Sequence, residues 1–292
     1  MTTGISYRAG LTALAMIALP QLGEACEATI ATSTPAVQIR PSPSFSDASS
    51  RERFSVTVRN GDDQTCDLAL EISADPAFAS STFPAYRIAG PGGAIELGAQ
   101  MPSAVGSGNL SFPVQIGSEA EQRLNYDVSV KLDWDLAAAP YEQRINFRLV
   151  DRTTSRVLDE TQISLIVIVP LSSRLDFVGN SNRLDLGVIA LDRPTTAPPF
   201  GVRVYSTSGY NLQFASENSG ALISREGTGR LPYRMTVEGR ELDLSAGSDR
   251  LLSADKSGAT GDIYGVGVTV LPDANQRAGS YSDRVTVTVT PF

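Results

Sequence analysis

The chain has 292 residues, and its 24 Lys+Arg against 32 Asp+Glu give a net charge of −8. An acidic chain does not accumulate on phosphate backbones, so no nucleic-acid partner is expected. The chain has no histidine and only two cysteines, which excludes Ser-His-Asp and Cys-His catalysis, His-ligated metals and a four-cysteine zinc site. With 41% hydrophobic and 19% charged residues it can bury a core. We therefore expect a binding or structural protein without cofactors rather than an enzyme.

The first 25 residues have the organisation of a secretory signal peptide. Arg8 supplies the positive region, Leu11–Leu19 is apolar, and Gly23 and Ala25 are the small residues of a cleavage site. The apolar run of about nine residues is too short for a bilayer, which needs about 20. The sequence therefore predicts export, with cleavage after residue 25. A buried N-terminal helix is the alternative.

The first residue after this cleavage site is Cys26, which raises the alternative of a lipoprotein. Two features argue against it: Leu22 lies four residues before Cys26, and Glu24 interrupts the small residues expected before a lipidated cysteine. Simple export is therefore the preferred interpretation. In an oxidising compartment, the only cysteine pair, Cys26 and Cys66, is predicted to form a disulfide.

Short alternating runs separated by turn residues follow along the chain. The chain also has 25 Gly and 17 Pro residues, and it shows almost no helical periodicity. This pattern predicts an all-β protein of sandwich type, and the length favours two domains. Asn60-Gly61 after the first run is a strong turn signal. The alternating runs cover 54–59, 68–72, 128–132, 145–149, 202–204, 235–237 and 266–270.

The domain border is predicted after the most apolar run of the chain. Gln162–Val169 (QISLIVIV) has apolar residues at consecutive positions, which indicates a strand buried on both faces and closing a domain. After Pro170 the alternation restarts. We therefore predict a first domain over 26–169 and a second over 171–292; the alternative is that Leu165–Val169 opens the second domain.

The C-terminal segment is a long alternating strand. Val285, Val287 and Val289 are predicted on one face, with threonines between them on the other. An unpartnered last strand would be an exposed edge that invites strand addition by another polypeptide. The alternative is an ordinary last strand whose neighbours are satisfied.

Three segments in the second half resemble the spore coat protein U family, a branch of the bacterial chaperone–usher pilus subunits. They are VYSTSGYNLQFASENSG (204–220), LPYRMTVEGRELDL (231–244) and AGSYSDRVTVTVTP (278–291). The resemblance covers most of residues 171–292, whereas the first domain is only loosely similar. It implies two immunoglobulin-like β-sandwich domains, of which the C-terminal one is incomplete and lacks its final strand.

The resemblance also implies the partners. A periplasmic pilus chaperone would donate a strand beside Val285, Val287 and Val289, and an outer-membrane usher would then exchange it for the N-terminal extension of an adjacent pilin subunit. Cleavage before Cys26 leaves no room for such an extension here, and the chain has two domains. Both features resemble a tip adhesin at the cell surface. The alternative is a secreted coat or matrix protein, or a fibre-shaft subunit, of the same fold.

The first domain would then contain the region that binds to a host or abiotic surface. Two loop-like segments of exposed apolar character, 74–93 and 135–141, make four aromatic residues candidate contacts: Phe78, Phe83, Tyr86 and Tyr141. The alternative is that these rings are ordinary core. Trp134 between two aspartates is interpreted as a core tryptophan in a strand rather than a sugar or cation site. An exported hydrolase with paired carboxylates is the remaining alternative function.

Overall fold

The computed structural model describes residues 26–45, 49–78, 83–91, 93–97, 110–179, 182–246, 248–253 and 255–292. The predicted signal peptide over 1–25 lies outside these ranges. The described chain is built of strands, apart from a single 3₁₀ turn at Pro76–Phe78. The all-β prediction is therefore confirmed.

The first group of strands forms two five-stranded sheets that pack face to face. One sheet has the order β1-β3-β8-β5-β6 and the other β2-β10-β9-β4-β7. Inward side chains of both sheets build one core, as in an immunoglobulin-like sandwich. The strands are β1 (Ala28–Thr32), β2 (Ala36–Ile39), β3 (Ser50–Asn60), β4 (Cys66–Ala74), β5 (Tyr86–Gly90), β6 (Gly93–Leu97), β7 (Leu110–Ile116), β8 (Glu121–Val130), β9 (Pro140–Asp151) and β10 (Val157–Ile168).

Strand β10 closes this first domain. It pairs antiparallel with β9 and parallel with β2, so both of its edges are occupied. Ile163, Leu165 and Val167 are buried in the core, while Ile166 and Ile168 between them are only half-buried. The prediction of a strand buried on both faces is thus corrected: one face is core and the other lies partly in solvent.

The predicted turn at Asn60-Gly61 carries the chain from one sheet to the other rather than forming a hairpin. β3 pairs with β1 and β8, whereas β4 pairs with β7 and β9 in the opposite sheet. Asn60 is buried, and its Nδ2 donates to the carbonyl oxygens of Gln64 and Gly117. A side chain that satisfies the backbone of two loops stabilises this crossing.

The second group of strands forms a sandwich with sheets of unequal size. The larger sheet has the order β11-β13-β19-β16-β15-β20, and the smaller has the order β18-β14-β21. Short strands β12 and β17 pair with β19 and β16. The strands are β11 (Ser173–Val178), β12 (Thr195–Thr196), β13 (Phe200–Ser206), β14 (Tyr210–Ser216), β15 (Ala221–Ser224), β16 (Arg230–Val237), β17 (Arg240–Leu242), β18 (Ser248–Ser253), β19 (Asp262–Val270), β20 (Tyr281–Ser282) and β21 (Val285–Pro291).

The disulfide between Cys26 and Cys66 is present, as predicted, and closes a loop with a sequence separation of 40. It joins the segment before β1 to the first residue of β4 and therefore ties the two sheets of the first domain together. In the chain-entropy model, a loop of this length contributes about 4 kcal/mol.

Trp134 lies at the joint between the two domains rather than in a strand of the first core. Its ring is buried and packs against Phe45 and Tyr205, with ring centroids at 6.0 and 5.8 Å. The next residue, Asp135, accepts hydrogen bonds from the backbone N–H of Ala259 (2.8 Å) at its carboxylate and from Lys256 Nζ (2.6 Å) at its carbonyl oxygen. The prediction of a strand tryptophan is therefore corrected, although the ring is indeed packed.

Candidate functional site

One edge of the last strand has no partner in the described part of the chain. β21 pairs antiparallel with β14 along its whole length, from Val285 opposite Ser216 to Pro291 opposite Tyr210. No described strand pairs with its other edge. The backbone N–H and C=O groups on that edge are therefore available to an added strand.

The side chains of β21 show that its inner face is incompletely covered. Val285, Val287 and Val289 pack against the second core but are only partly buried, and the threonines between them are exposed. Strand β9 of the first domain has the same alternation, yet its inward side chains Ile145 and Phe147 are fully buried. The valine row thus faces the core but is still accessible to a ligand.

The apolar surface around the valine row continues onto the opposite sheet. β11 is the edge strand of the larger sheet and lies beside β21. Much of the apolar lining of the second core is only partly buried, whereas the first core is almost entirely buried. Leu175 and Phe177 of β11 are two of these partly buried residues, and Leu184, Leu186 and Ile189 are others that pack against the same core. We call the valine row, its unpaired edge and the neighbouring Leu175 and Phe177 of β11 the β21 groove.

A buried polar network fixes the start of β21. Asp283 Oδ2 accepts hydrogen bonds from Tyr233 Oη (2.6 Å) and Ser216 Oγ (2.7 Å), while Oδ1 accepts from Asn218 Nδ2 (2.8 Å). Burial raises the pKa of Tyr233, and the hydrogen bond to the Asp283 carboxylate raises it further, so the hydroxyl stays a donor. The network joins β14, β16 and the segment before β21, and it holds the valine row in register.

Sequence reasoning missed this network. Asp283 lies in the segment that carries the family resemblance, but its partners Ser216, Asn218 and Tyr233 are distant along the chain. The available signal was a single acidic residue, Asp283, which precedes Arg284 and an uncharged strand. A lone carboxylate does not reveal which donors fold onto it, so no pattern of spacing identifies the set.

The predicted contact aromatics are placed in two different environments. Phe83 and Tyr86 are buried in the first core, with ring centroids 5.5 Å apart. They do not form a contact surface, so the prediction is corrected for these two residues: Tyr86 is an inward residue of β5, and Phe83, in the bend before that strand, packs into the same core. Phe78 is 42% exposed and lies under the Arg144 guanidinium at 3.7 Å. Tyr141 is half-buried, and its hydroxyl donates to the carbonyl oxygen of Ala137.

The strand register also shows which end of the first domain carries these loops. The start of β9 at Pro140 lies opposite Ile168, where the chain leaves for the second domain. Nearby, the backbone N–H of Ala138 donates to the carbonyl oxygen of Thr207 in the second domain. Tyr141 therefore lies at the joint end. The opposite end consists of the loops 61–65, 117–120 and 152–156, which are mostly polar and exposed.

Two open clefts lie elsewhere on the molecule. The larger one, of about 800 Å³, is lined by strands β13 and β19 and includes Arg203, Glu238 and Asp262; the other, of about 400 Å³, lies in the first domain. Neither is an enclosed apolar pocket of the kind that holds small ligands. Among the residues that the structure describes, no three acidic or cysteine side chains come together as a metal site.

No helix within the described ranges is both long enough and apolar enough to cross a membrane.

The comparisons with known proteins return similar solved structures only. No family model and no curated protein matches the chain, so the resemblance to the spore coat protein U family stays a prediction. A chain of the CsuC–CsuE chaperone–tip adhesion subunit pre-assembly complex from archaic chaperone–usher Csu pili of Acinetobacter baumannii is 15% identical, with a TM-score of 0.46, over 92% of this chain and 100% of that chain.

Two further structures show weaker likeness. The CupB6 tip adhesin from Pseudomonas aeruginosa is 10% identical, with a TM-score of 0.40, over 91% of this chain and 94% of that one. The CooA pilin subunit from enterotoxigenic Escherichia coli is 14% identical, with a TM-score of 0.28, over 49% of this chain and 98% of that one. These TM-scores lie below 0.5, and the functional argument is therefore drawn from the geometry of the β21 groove.

Proposed function

We propose that this protein is an exported adhesive subunit of a chaperone–usher fibre and that it accepts a donated strand along the free edge of β21. The single observation that carries the proposal is the valine row of β21, which faces a core, remains partly exposed and borders an unpaired edge. The similarity of residues 204–220, 231–244 and 278–291 to pilus subunits supports the same function. In this proposal a periplasmic chaperone, and later an adjacent pilin subunit, occupies the β21 groove.

The first domain shows what an occupied groove requires. There β10 lies between β9 and β2, and its residues Ile163, Leu165 and Val167 fill the core. By analogy, a strand donated to β21 would place alternate apolar side chains beside Val285, Val287 and Val289 in the second core. Burying about three such side chains contributes roughly 2 kcal/mol each, in addition to the backbone hydrogen bonds of a new strand pair.

We propose the tip position because the first domain already has its closing strand and the predicted cleavage leaves no extension to donate. In this position the first domain would meet a host or abiotic surface with the end farthest from the joint. A fibre-shaft subunit or a secreted coat protein of the same fold is the second candidate. Sequencing of the mature N-terminus separates them, since a start well before Cys26 would leave a donor segment and contradict the tip assignment.

The test of strand acceptance is a self-complemented chain. A flexible linker and a copy of Glu160–Val169, the strand that closes the first domain, are added after Phe292. Because the copy fills the β21 groove, we expect the Tm of the second domain to rise by about 10 °C or more and the binding of a hydrophobic dye to disappear. The measurements are calorimetry and dye fluorescence of the full exported chain.

The matched control carries the same addition with its four core-facing positions, the copies of Ile163, Leu165, Val167 and Val169, changed to serine, and it should behave as the unmodified chain does. The proposal fails if the unmodified chain binds no dye and the copied strand leaves its Tm unchanged, because β21 would then need no partner.

A further inference from the structure

A buried carboxylate at the end of β9 lies beside the backbone nitrogen of Cys26. Asp151 is only 3% exposed. Its Oδ1 accepts hydrogen bonds from the backbone N–H groups of Thr153 (2.7 Å) and Thr154 (3.1 Å). Its Oδ2 faces the nitrogen of Cys26 at 3.4 Å. Oδ1 thus accepts two short hydrogen bonds from backbone N–H groups, and the Thr154 side chain also donates to the carboxylate, whereas the contact between Oδ2 and the Cys26 nitrogen is long.

This carboxylate has no cationic partner in the described part of the chain. The neighbouring Arg152 forms its ion pair with Asp67 instead. Burial by itself would raise the pKa of Asp151, but the N–H groups of Thr154, Thr153 and Cys26 outweigh burial and lower it, so the group is ionised at neutral pH. A buried carboxylate without a counter-charge is costly, and natural proteins usually pair such groups.

The Cys26 nitrogen is held in place from the other side by the disulfide. Cys26 Sγ is bonded to Cys66, with the two Cα atoms 5.9 Å apart. The nitrogen facing Asp151 therefore belongs to a residue that is anchored covalently to the first domain. The site lies at the end of that domain opposite to the joint, since Asp151 is aligned with Leu68 near the start of β4.

We propose that Asp151 is a socket for the amino terminus that processing creates at Cys26. This inference rests on the proposed export. Hydrolysis of the Ala25–Cys26 peptide bond consumes one water, releases the carboxylate of Ala25 and leaves an amine on Cys26. With an ordinary pKa of about 8, that amine is protonated at neutral pH. It carries three donors and one positive charge, which are what Asp151 Oδ2 lacks.

Binding of the new amino terminus by Asp151 gives cleavage of the Ala25–Cys26 bond two consequences. The first domain gains an ion pair only after the preceding segment has been removed, so its stability reports on processing. The mature terminus is also fixed by one disulfide and one ion pair at its first residue, which leaves no free segment to enter the groove of another subunit. The socket would therefore make this subunit an acceptor of strands and not a donor.

The test compares four exported full-length proteins: the natural chain, a chain with Ser-Gly inserted between Ala25 and Cys26, the D151N variant, and the combination of both changes. Intact mass spectrometry establishes each terminus, and amide hydrogen exchange of β9 reports the stability of the first domain. The insertion turns the Cys26 amine into a neutral peptide N–H. We expect it to lower the protection of β9 about tenfold when Asp151 is present and less than about twofold in the D151N background.

A second measurement does not depend on the folding of the D151N variant. The α-amine is acylated at pH 7 with an amine-reactive ester, and the rate is followed by mass spectrometry. We expect the natural chain to react at least about tenfold more slowly than the chain with the insertion, because the paired amine stays protonated. A purely steric effect of the insertion would lower protection equally in both backgrounds, which would overturn the socket. Equal acylation rates would overturn it as well.

The residue at which the mature chain starts distinguishes failure of this inference from failure of the proposed function on which it rests. A processed chain that starts at a residue other than Cys26 overturns the socket but leaves strand acceptance at β21 untouched. A chain that retains residues 1–25 contradicts export and therefore both proposals. A chain that starts at Cys26 and shows neither effect contradicts the socket alone.

Discussion

Strands β9 and β21 have the same alternation of inward and outward side chains, yet they have different surroundings. β9 lies between β4 and β10, and its inward residues Ile145, Phe147 and Leu149 are fully buried. Among the described strands β21 is hydrogen-bonded to β14 alone, and its valines are half-buried. The difference is one neighbouring strand. It shows that a strand pattern specifies which face turns to the core, but not whether that core is closed.

The two domains also differ in the segment that follows their first strand, and this difference again concerns a missing neighbouring strand. After β1, the first domain crosses to its other sheet as β2, which pairs in parallel with β10. After β11, the second domain forms no strand over 182–194, although Leu184, Leu186 and Ile189 pack against its core. A strand formed over 182–194 would pair with the closing strand of the second domain, as β2 pairs with β10 in the first. The absence of a paired β10 counterpart from the described chain thus leaves one edge of β21 and the segment 182–194 without a paired strand.

A charge placed in each inward row should have the largest effect. Leu165→Asp in β10 buries a carboxylate in a closed core and should cost more than about 5 kcal/mol, unfolding the first domain. Val287→Asp in β21 should leave both domains folded, because that position is still partly solvated, but should abolish chaperone-dependent fibre incorporation. Denaturant unfolding and fibre assembly are the measurements.

Matched controls lie on the same strands. Gln162→Asp and Thr288→Asp are on exposed faces and should each change stability by less than about 0.5 kcal/mol. If Val287→Asp unfolded the second domain as completely as Leu165→Asp unfolds the first, the two cores would be equally closed, and the contrast between the domains would be wrong.

Removal of the disulfide should affect the first domain alone, because both of its cysteines belong to that domain. The double substitution Cys26→Ser and Cys66→Ser should destabilise the first domain by about 4 kcal/mol, as expected for release of a loop of this length. Hydrogen exchange should accelerate in β3 and β4 and stay unchanged in β14. Equal acceleration in β14 would show that the domains unfold as one unit, contrary to this expectation.

The smallest expected effect concerns the network that fixes β21. Asp283→Asn removes the acceptor of Tyr233 and Ser216 and should cost the second domain about 2 kcal/mol. Affinity for a donated strand should fall with it, since the valine row loses its fixed register. Asp255→Asn, on the exposed surface of the same domain, is the control and should have no effect. A loss of stability without any loss of strand affinity would separate the network from the groove.

Much of the fold follows from local pattern. Each alternating run, from 54–59 to 266–270, lies within a strand or reaches at most two residues beyond one, because a period of two fits only a strand with one buried face. The environments of Phe83, Tyr86 and Trp134 did not follow. An aromatic residue in a loop-like segment has the same local sequence whether it covers a core, joins two domains or faces solvent, and tertiary contacts decide which.

The absence of histidine, the cysteine pair, the strands and the inward-facing valine row thus follow from the sequence, which also predicts export. How the edges of those strands are used follows only from the folded chain. Hydrogen bonding between strands joins residues far apart in the chain, so no local pattern states that β9 has two neighbours and β21 one. The same holds for Asp151, whose proximity to Cys26 across 125 residues arises from the packing of the first domain.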